Sequence, residues 1–382
     1  MEVHVAESIS KVAAEDWDKL ADPNNPFVTH RFLQALEDSN SVGENAGWVP
    51  LHLLVQEEGE LVAAVPTYLK DNSYGEYIFD WGWAEASERA RIPYYPKLVS
   101  AVPYTPATGP RILTRQHNPF LVNIAWKGML SLAEATQANS VHFLFVPESQ
   151  HQQLAQQKDV IPRLTHQFHR QNPNVEDFTE WLGLFTAKER KKTKRERKKA
   201  AASIDKIYHL HGSELTEKHI DDIWRFYQNT CMRKWGRPYL QRGFFDCLRT
   251  TLADLTIVFI AEKDGQIVAT SLSFQSGNHL YGRYWGCRES FDTLHFELCY
   301  HQQIELCIKK GWTRFEAGAQ GQHKLKRGLL PQPTYSNHWL RHTGLSAAVA
   351  DAMQRERKYL LQEMEALRQH SPFRAEAMEN AR

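Results

Sequence analysis

The sequence predicts a mixed α/β protein built from two like modules and closed by a C-terminal helix. Three observations predict it: a hairpin pattern that occurs twice, an ordered run of strands, helix and strand after its second copy, and a length of 382 residues. A chain of that length is about twice what one ordinary core supports.

The repeat is legible in two pairs of segments. Residues 53 to 65, "LLVQEEGELVAAV", and 259 to 271, "FIAEKDGQIVATS", each read as an apolar strand, a short acidic turn closed by Gly59 or Gly265, and a second apolar strand. Upstream of them stand "PFVTHRFLQAL" at 26 to 36 and "PYLQRGFFDCL" at 238 to 248, with Phe32 and Leu36 matched by Phe244 and Leu248. The two offsets are 206 and 212 residues, and two elements matched in the same order indicate a duplicated module.

The second copy continues in a recognisable order. After the helical "TEKHIDDIWRFYQNTCMRKWG" come strands expected near 256 to 262, 266 to 275 and 279 to 286, joined by "KDG" and "SGN" turns. In "LHFELCYHQQIELCIKKG" the residues Phe296, Tyr300, Ile304 and Cys307 recur at helical spacing, and Gly311 supplies a stop. A strand, "RFEAGA", follows at once. Meander, helix, strand is the core order of the GNAT acyltransferase fold. The expected divisions are an N-terminal GNAT-like module over 1 to 160, a C-terminal one over 161 to 342, and a helix and tail over 343 to 382.

Bulk properties exclude several classes. A hydrophobic content of 42% and a charged content of 24% are those of a globular chain. No stretch approaches the ~18 apolar residues of a membrane span, and no basic leader precedes an apolar run, so a soluble cytoplasmic protein is expected. The five cysteines form no CxxC pair and read as buried free thiols. No P-loop, GxGxxG or Ser/His/Asp signature is present, which leaves hydrolase, NTPase and dehydrogenase readings without support.

The formal net charge is +1, yet "KERKKTKRERKK" at 188 to 199 holds nine Lys or Arg in twelve positions. Neither Gly nor Pro occurs from Leu184 to His211, and Lys, Arg, Glu and Ala are good helix formers, so a helix over 186 to 203 is expected. On it Arg190, Lys194 and Arg197 fall at i, i+4 and i+7 as a basic stripe. That stripe reads either as a solvated connector or as a contact for an anionic substrate.

These segments, with "YGEYIFDWGWAEA", "YYPKLVSAVPYTPATGPRIL", "LYGRYWG" and "LHFELCYHQQIELCIKKGWTRFEAGAQGQHKLKRG", resemble the FemAB-like family, tandem-GNAT relatives of the Fem aminoacyltransferases. The resemblance covers about residues 10 to 340. It implies transfer of an acyl or aminoacyl group to an amine acceptor such as a peptidoglycan precursor. It also implies an aminoacyl-tRNA or acyl-CoA donor, no tightly bound cofactor, and an anionic substrate as partner, with a homodimer left open. The family's name rests on analogy with Fem proteins, so a non-catalytic protein binding a cell-wall or other polyanionic ligand, or nucleic-acid binding through the basic helix, stays open as well.

Candidate site residues concentrate late in the chain. "FEAGAQGQHKLKRG" gathers Glu316, Gln320, His323, Lys324 and Arg327 where a strand enters a Gly-containing loop. Either Glu316 or His323 is the expected general base, with Lys324 catalytic beside them, and either Lys324 or Arg327 would hold a phosphate or carboxylate. In "LYGRYWG" alternation places Tyr281, Arg283 and Trp285 on one strand face and Tyr284 on the other, either as sheet packing or as a grip on a planar anion. In "PYTPATGPR", Tyr104 and Arg111 read either as ligand contacts from the first module or as parts of a rigid structural loop. The stripe Glu297, His301 and Glu305 reads as a solvated face, and no metal is expected. The place where an acetyl-CoA user carries a Gly-rich turn holds "CRESFDTLHFE", with no glycine.

Overall fold

In chain order the strands are β1 (Glu2–Ala6), β2 (Val49–Pro50), β3 (His52–Glu57), β4 (Glu60–Val65), β5 (Thr67–Lys70), β6 (Lys97–Ser100), β7 (Ser140–Val146), β8 (Ile161–Gln171), β9 (Lys206–His211), β10 (Thr256–Lys263), β11 (Gln266–Ser276), β12 (His279–Cys287), β13 (Arg314–Glu316) and β14 (Leu330–Leu340). The structure, a computed structural model, describes residues 1 to 377 except 117, 235 and 320. Two compact units emerge, Met1–Thr165 with Pro333–Gln362, and His166–Gln332 with Glu363–Arg382.

The expected hairpins both form, and they match in detail. In β3/β4 the central turn residues Glu58 and Gly59 have φ of 54° and 84°, and in β10/β11 Asp264 and Gly265 have φ of 52° and 67°. Positive φ at both central positions is the geometry that lets a two-residue turn follow the twist of its strands. Each ladder also slips its register at the same place, between Val55 and Gln56 and between Ala261 and Glu262, again 206 residues apart. The matching extends upstream: β1 pairs with β3 as β9 pairs with β10, both antiparallel.

In the first unit β6 and β7 run parallel, joined through helix Pro119–Ala135, which is started by the Asn118 side chain accepting from Phe120 and Leu121 amides. Their core is Leu53, Val65, Leu98, Val122, Trp126, Met129, Phe143 and their neighbours. Beyond Ser100 the space alongside β7 is filled by the chain itself: Ala101, Val102, Tyr104, Thr105 and Ala107 are buried, and the Gly109 amide donates to Phe145 O at 2.9 Å.

In the second unit β9, β10, β11 and β12 form the antiparallel meander and β12 pairs in parallel with β13. Helix Glu217–Lys234 packs on β12, approaching so closely that a Cβ on Gly286 would lie 2.4 Å from Phe226 C and O. The opposite face is covered by the segment from Leu294 to Lys310. Its expected single helix is corrected: Leu294–Phe296 and Gln302–Lys310 are α-helical, but Glu297–His301 is a π turn. The wider turn leaves a carbonyl to be satisfied, and buried Gln303 does so, its Nε2 donating to Leu298 O at 3.1 Å and to Ser271 Oγ at 3.0 Å. Gly311, at φ 68°, ends the helix as expected.

The basic run forms helix Ala187–Ser203, with the Thr186 hydroxyl accepting from the Glu189 amide as its N-cap. The last helix spans Thr343–Gln369. All five cysteines are free thiols, Cys231, Cys287 and Cys307 buried and Cys247 and Cys299 half-buried.

Candidate active site

The second unit opens where two parallel strands part. His279, Leu280 and Tyr281 pair with Arg314, Phe315 and Glu316, and there β13 stops while β12 runs on to Cys287. After Glu316 the chain bends through Gly318 (φ 79°) and Gly321 (φ 112°) into the short helix Gln322–Arg327, which Gly328 (φ 83°) ends. These conformations exclude most other residues, and Lys324 turns back far enough for its Nζ to reach Gly318 O.

Lys324 is buried in this fork, 2% exposed, and its Nζ donates to Gly318 O at 2.6 Å, its one hydrogen-bond partner among the described residues. Burial pushes the ammonium down to about 7, opposed only weakly by the neighbouring Cys299 thiol. Glu316, also buried, has Oε1 3.0 Å from Arg314 Nε and Oε2 3.9 Å from His169 Nε2. Arg314 Nη2 donates to His169 Nδ1 at 3.1 Å, which makes Nδ1 the acceptor and leaves the proton on Nε2. Burial, with Arg314 and Lys324 nearby, holds His169 well below the usual imidazole range, so its ring is neutral.

His323 Nε2 lies 2.8 Å from Tyr300 OH, and its ring is bordered by His295 and Phe296. Arg327 is committed to the scaffold: its guanidinium stacks on Phe296 at 3.6 Å, Nη1 donates to His323 O and Nη2 to Glu196 Oε1 at 2.7 Å. The structure thus gathers Glu316, His323, Lys324 and Arg327 into one loop. Gln320 lies outside the described residues.

On β12 the expected alternation is corrected. A bulge at Arg283 leaves Tyr284 opposite Leu272 and Tyr281 opposite Phe274, so these two tyrosines share a face, while Trp285, opposite Ser271, and Gly282, opposite Ser273, share the other. One inserted residue reverses the faces beyond it. Trp285 packs edge-on against His295, and Arg283 stacks over Tyr284.

The basic helix divides its residues sharply. Arg197 donates to Glu297 through Nε at 3.1 Å and Nη2 at 2.9 Å, and to Glu305 through Nη2 at 2.8 Å. Glu297 and His301 are 4% and 1% exposed, so the stripe read as solvated is instead the surface on which this helix docks. Arg190 is half-buried and Lys194 exposed. A groove of about 450 Å³ opens beside the clamp, bounded by Arg197, Lys198, Ile204, Ile207, Glu297 and Gln302.

Tyr104 and Arg111 are placed inside the first unit. Tyr104 OH donates to Ser41 O, and Arg111, fully buried, donates to Ala107 O at 2.7 Å, Gly109 O at 3.0 Å and Pro110 O at 3.2 Å. Both brace the loop that fills the space beside β7. Sequence reasoning missed His169 and Arg314; the signal available was a run of polar residues, "HQFHRQ", inside a strand that had to be buried.

A family model, described as peptidoglycan biosynthesis/recognition, matches residues 8 to 375. The chain belongs to the FemAB-like family. The FemAB-like chain shares its fold with solved structures of low identity: FemX (TM-score 0.53, 11% identity, 92% of this chain and all of that one) and a conserved protein of unknown function from Bacteroides thetaiotaomicron (TM-score 0.54, 10%, 89% and 100%). A third is the C-terminal domain of a putative lysylphosphatidylglycerol synthetase from Agrobacterium fabrum (TM-score 0.50, 11%, 89% and 95%). At such identity the likeness establishes the shared α/β fold alone. No curated protein matches the sequence. Among the described residues no helix is long and apolar enough to cross a membrane.

Proposed function

We propose that this FemAB-like protein transfers an acyl or aminoacyl group to an amine on a peptidoglycan precursor, and that the fork between β12 and β13 is where transfer occurs. The observation that carries the reading is the buried Lys324 amine, near enough to His169 for its charge to be felt there, on the loop that leaves β13 directly after the buried Glu316. Attack of an amine on an ester or thioester carbonyl requires removal of a proton from the incoming nitrogen and stabilisation of the oxyanion that forms. With its ammonium held near 7, Lys324 exists in both forms at neutral pH: the neutral amine accepts a proton, the charged one stabilises an oxyanion. Glu316 and His323 remain the alternative bases, and neutral His169 directs its Nε2 proton to Gln167 Oε1 at 3.3 Å, with Glu316 Oε2 3.9 Å away.

The donor is better read as aminoacyl-tRNA than acyl-CoA. Where a CoA pyrophosphate would approach a Gly-rich turn, Thr293 stands at φ 65° with its hydroxyl donating to Glu196 O, and Lys199 pairs with Asp292. The protein's own basic helix covers that turn. Membership of the FemAB-like family, with its resemblance to the Fem aminoacyltransferases, supports the same donor class. The test incubates the purified chain with each donor class and an amine-bearing peptidoglycan precursor, following the acceptor by mass spectrometry. An aminoacyl mass increment on the precursor is expected with aminoacyl-tRNA; an unmodified acceptor with both donors overturns the reading.

A further inference from the structure

Helix Ala187–Ser203 carries more positive charge than the fold consumes. Its inward side is the stripe Glu189, Thr193, Glu196 and Ala200, at i, i+4, i+7 and i+11; Thr193 and Ala200 are buried, Glu196 holds Arg327 and Glu189 lies 3.8 Å from Lys326. Both acids of the helix are therefore spent against the body of the unit. Arg197 is clamped by Glu297 and Glu305, and Lys199 by Asp292. The helix cannot roll without breaking these pairs.

The opposite side is Lys191, Lys194, Arg195 and Lys198, at i, i+3, i+4 and i+7, with Lys188 one turn earlier. All five are exposed, and among the described residues none has a hydrogen-bond or ion-pair partner. Spread over residues 188 to 198 of a helix of 17 residues, they form a ridge roughly 15 Å long.

We propose that this ridge adsorbs the protein electrostatically to an anionic lipid surface. The composition of the ridge favours that partner over RNA. Four of the five cations are Lys, compact hydrated point charges suited to a diffuse headgroup layer, rather than Arg forks suited to gripping individual phosphates. No aromatic, Asn or Gln stands on this helix to stack on bases or read their edges, as RNA recognition requires. Beyond the short methyls of Ala187, Ala201 and Ala202, no apolar side chain of this helix is exposed, so the contact is adsorption and not insertion, and it is steeply sensitive to salt. The inference stands apart from the transfer reading, since adsorption is measured with no transfer taking place.

The test is co-sedimentation of the full chain with vesicles of phosphatidylcholine alone or mixed with phosphatidylglycerol, at low and high salt, beside fluorescence anisotropy with a duplex RNA of arbitrary sequence. The wild-type chain is expected to bind only the anionic vesicles and to be released by salt. Replacing Lys188, Lys191 and Arg195 together by Gln should weaken partitioning by roughly 100-fold, since each cation near such a surface is worth about a factor of five. Replacing the exposed Lys218, Lys309 and Lys310 of other helices by Gln makes the same change in net charge and should weaken it far less. Equal binding to neutral and anionic vesicles, equal losses in the two triple variants, or binding of the RNA without binding of the vesicles each overturns the proposal. The wild-type comparison across lipids and salt decides it even if a variant fails to fold.

Discussion

Lys324 is costly to the fold, and the cost has a definite pH dependence. Its folded-state pKa of about 7 lies below the ordinary 10.5, so between those values the unfolded chain binds the extra proton and stability rises with pH. Below about 7 the folded protein carries a buried ammonium and bears the full penalty. Replacing Lys324 by Met should therefore raise the urea midpoint at about pH 6, on the order of 2 kcal/mol, with the advantage shrinking toward about pH 10. An advantage independent of pH would show that the amine is not held near neutrality. Arg327 follows a different logic, since its guanidinium is neutralised by Glu196 and stacked on Phe296. Two basic residues three positions apart, indistinguishable in the sequence, are thus a chemical group and a structural bolt.

At the scale of elements the fork depends on how tightly helix Glu217–Lys234 sits against β12. Gly286 permits that approach, and Gly286→Ala is expected to cost roughly 1–3 kcal/mol by forcing Phe226 backbone away from the strand, read as a lowered Tm. A melting point equal to the wild type would mean the helix shifts freely and does not fix the fork. Both hairpins, the basic helix and the meander were legible in the sequence because each rests on local rules: alternation, turn residues with positive φ, and helix-forming composition. The π turn at Glu297–His301 and the bulge at Arg283 were not. Each inserts one residue into a regular period, and what stabilises them, Gln303 reaching Leu298 O in one case and the β11 register in the other, lies elsewhere in the chain. The same reason hid the docking of Arg197 on Glu297, two residues 100 positions apart. The loop holding Glu316, His323, Lys324 and Arg327 was legible as a cluster, but their division of labour follows from burial, which a linear pattern does not record.

Across the whole molecule, duplication has been followed by divergence. Both units place two parallel strands side by side with a helix between them in sequence, yet the first fills the space beyond β6 with residues 101 to 113 braced by Arg111, whereas the second leaves β12 and β13 parted around a buried lysine. Both units bury ionisable groups, but in the first Lys97 is paired with Glu76 at 2.8 Å and Asp80 at 2.7 Å, whereas Lys324 of the second donates to the Gly318 carbonyl, and the proposed transfer is placed on the lysine that carries no carboxylate pair among the described residues. The most direct measurement is the single-turnover rate of transfer from aminoacyl-tRNA to a peptidoglycan precursor by the wild-type chain, Glu316→Gln and Lys324→Met, each shown to be folded by its melting curve. Both variants are expected to keep their fold and to lose on the order of 100-fold or more in rate, the scale of a positioned acid, base or oxyanion group. Transfer by both variants at the wild-type rate would contradict this expectation and place the chemistry outside the fork.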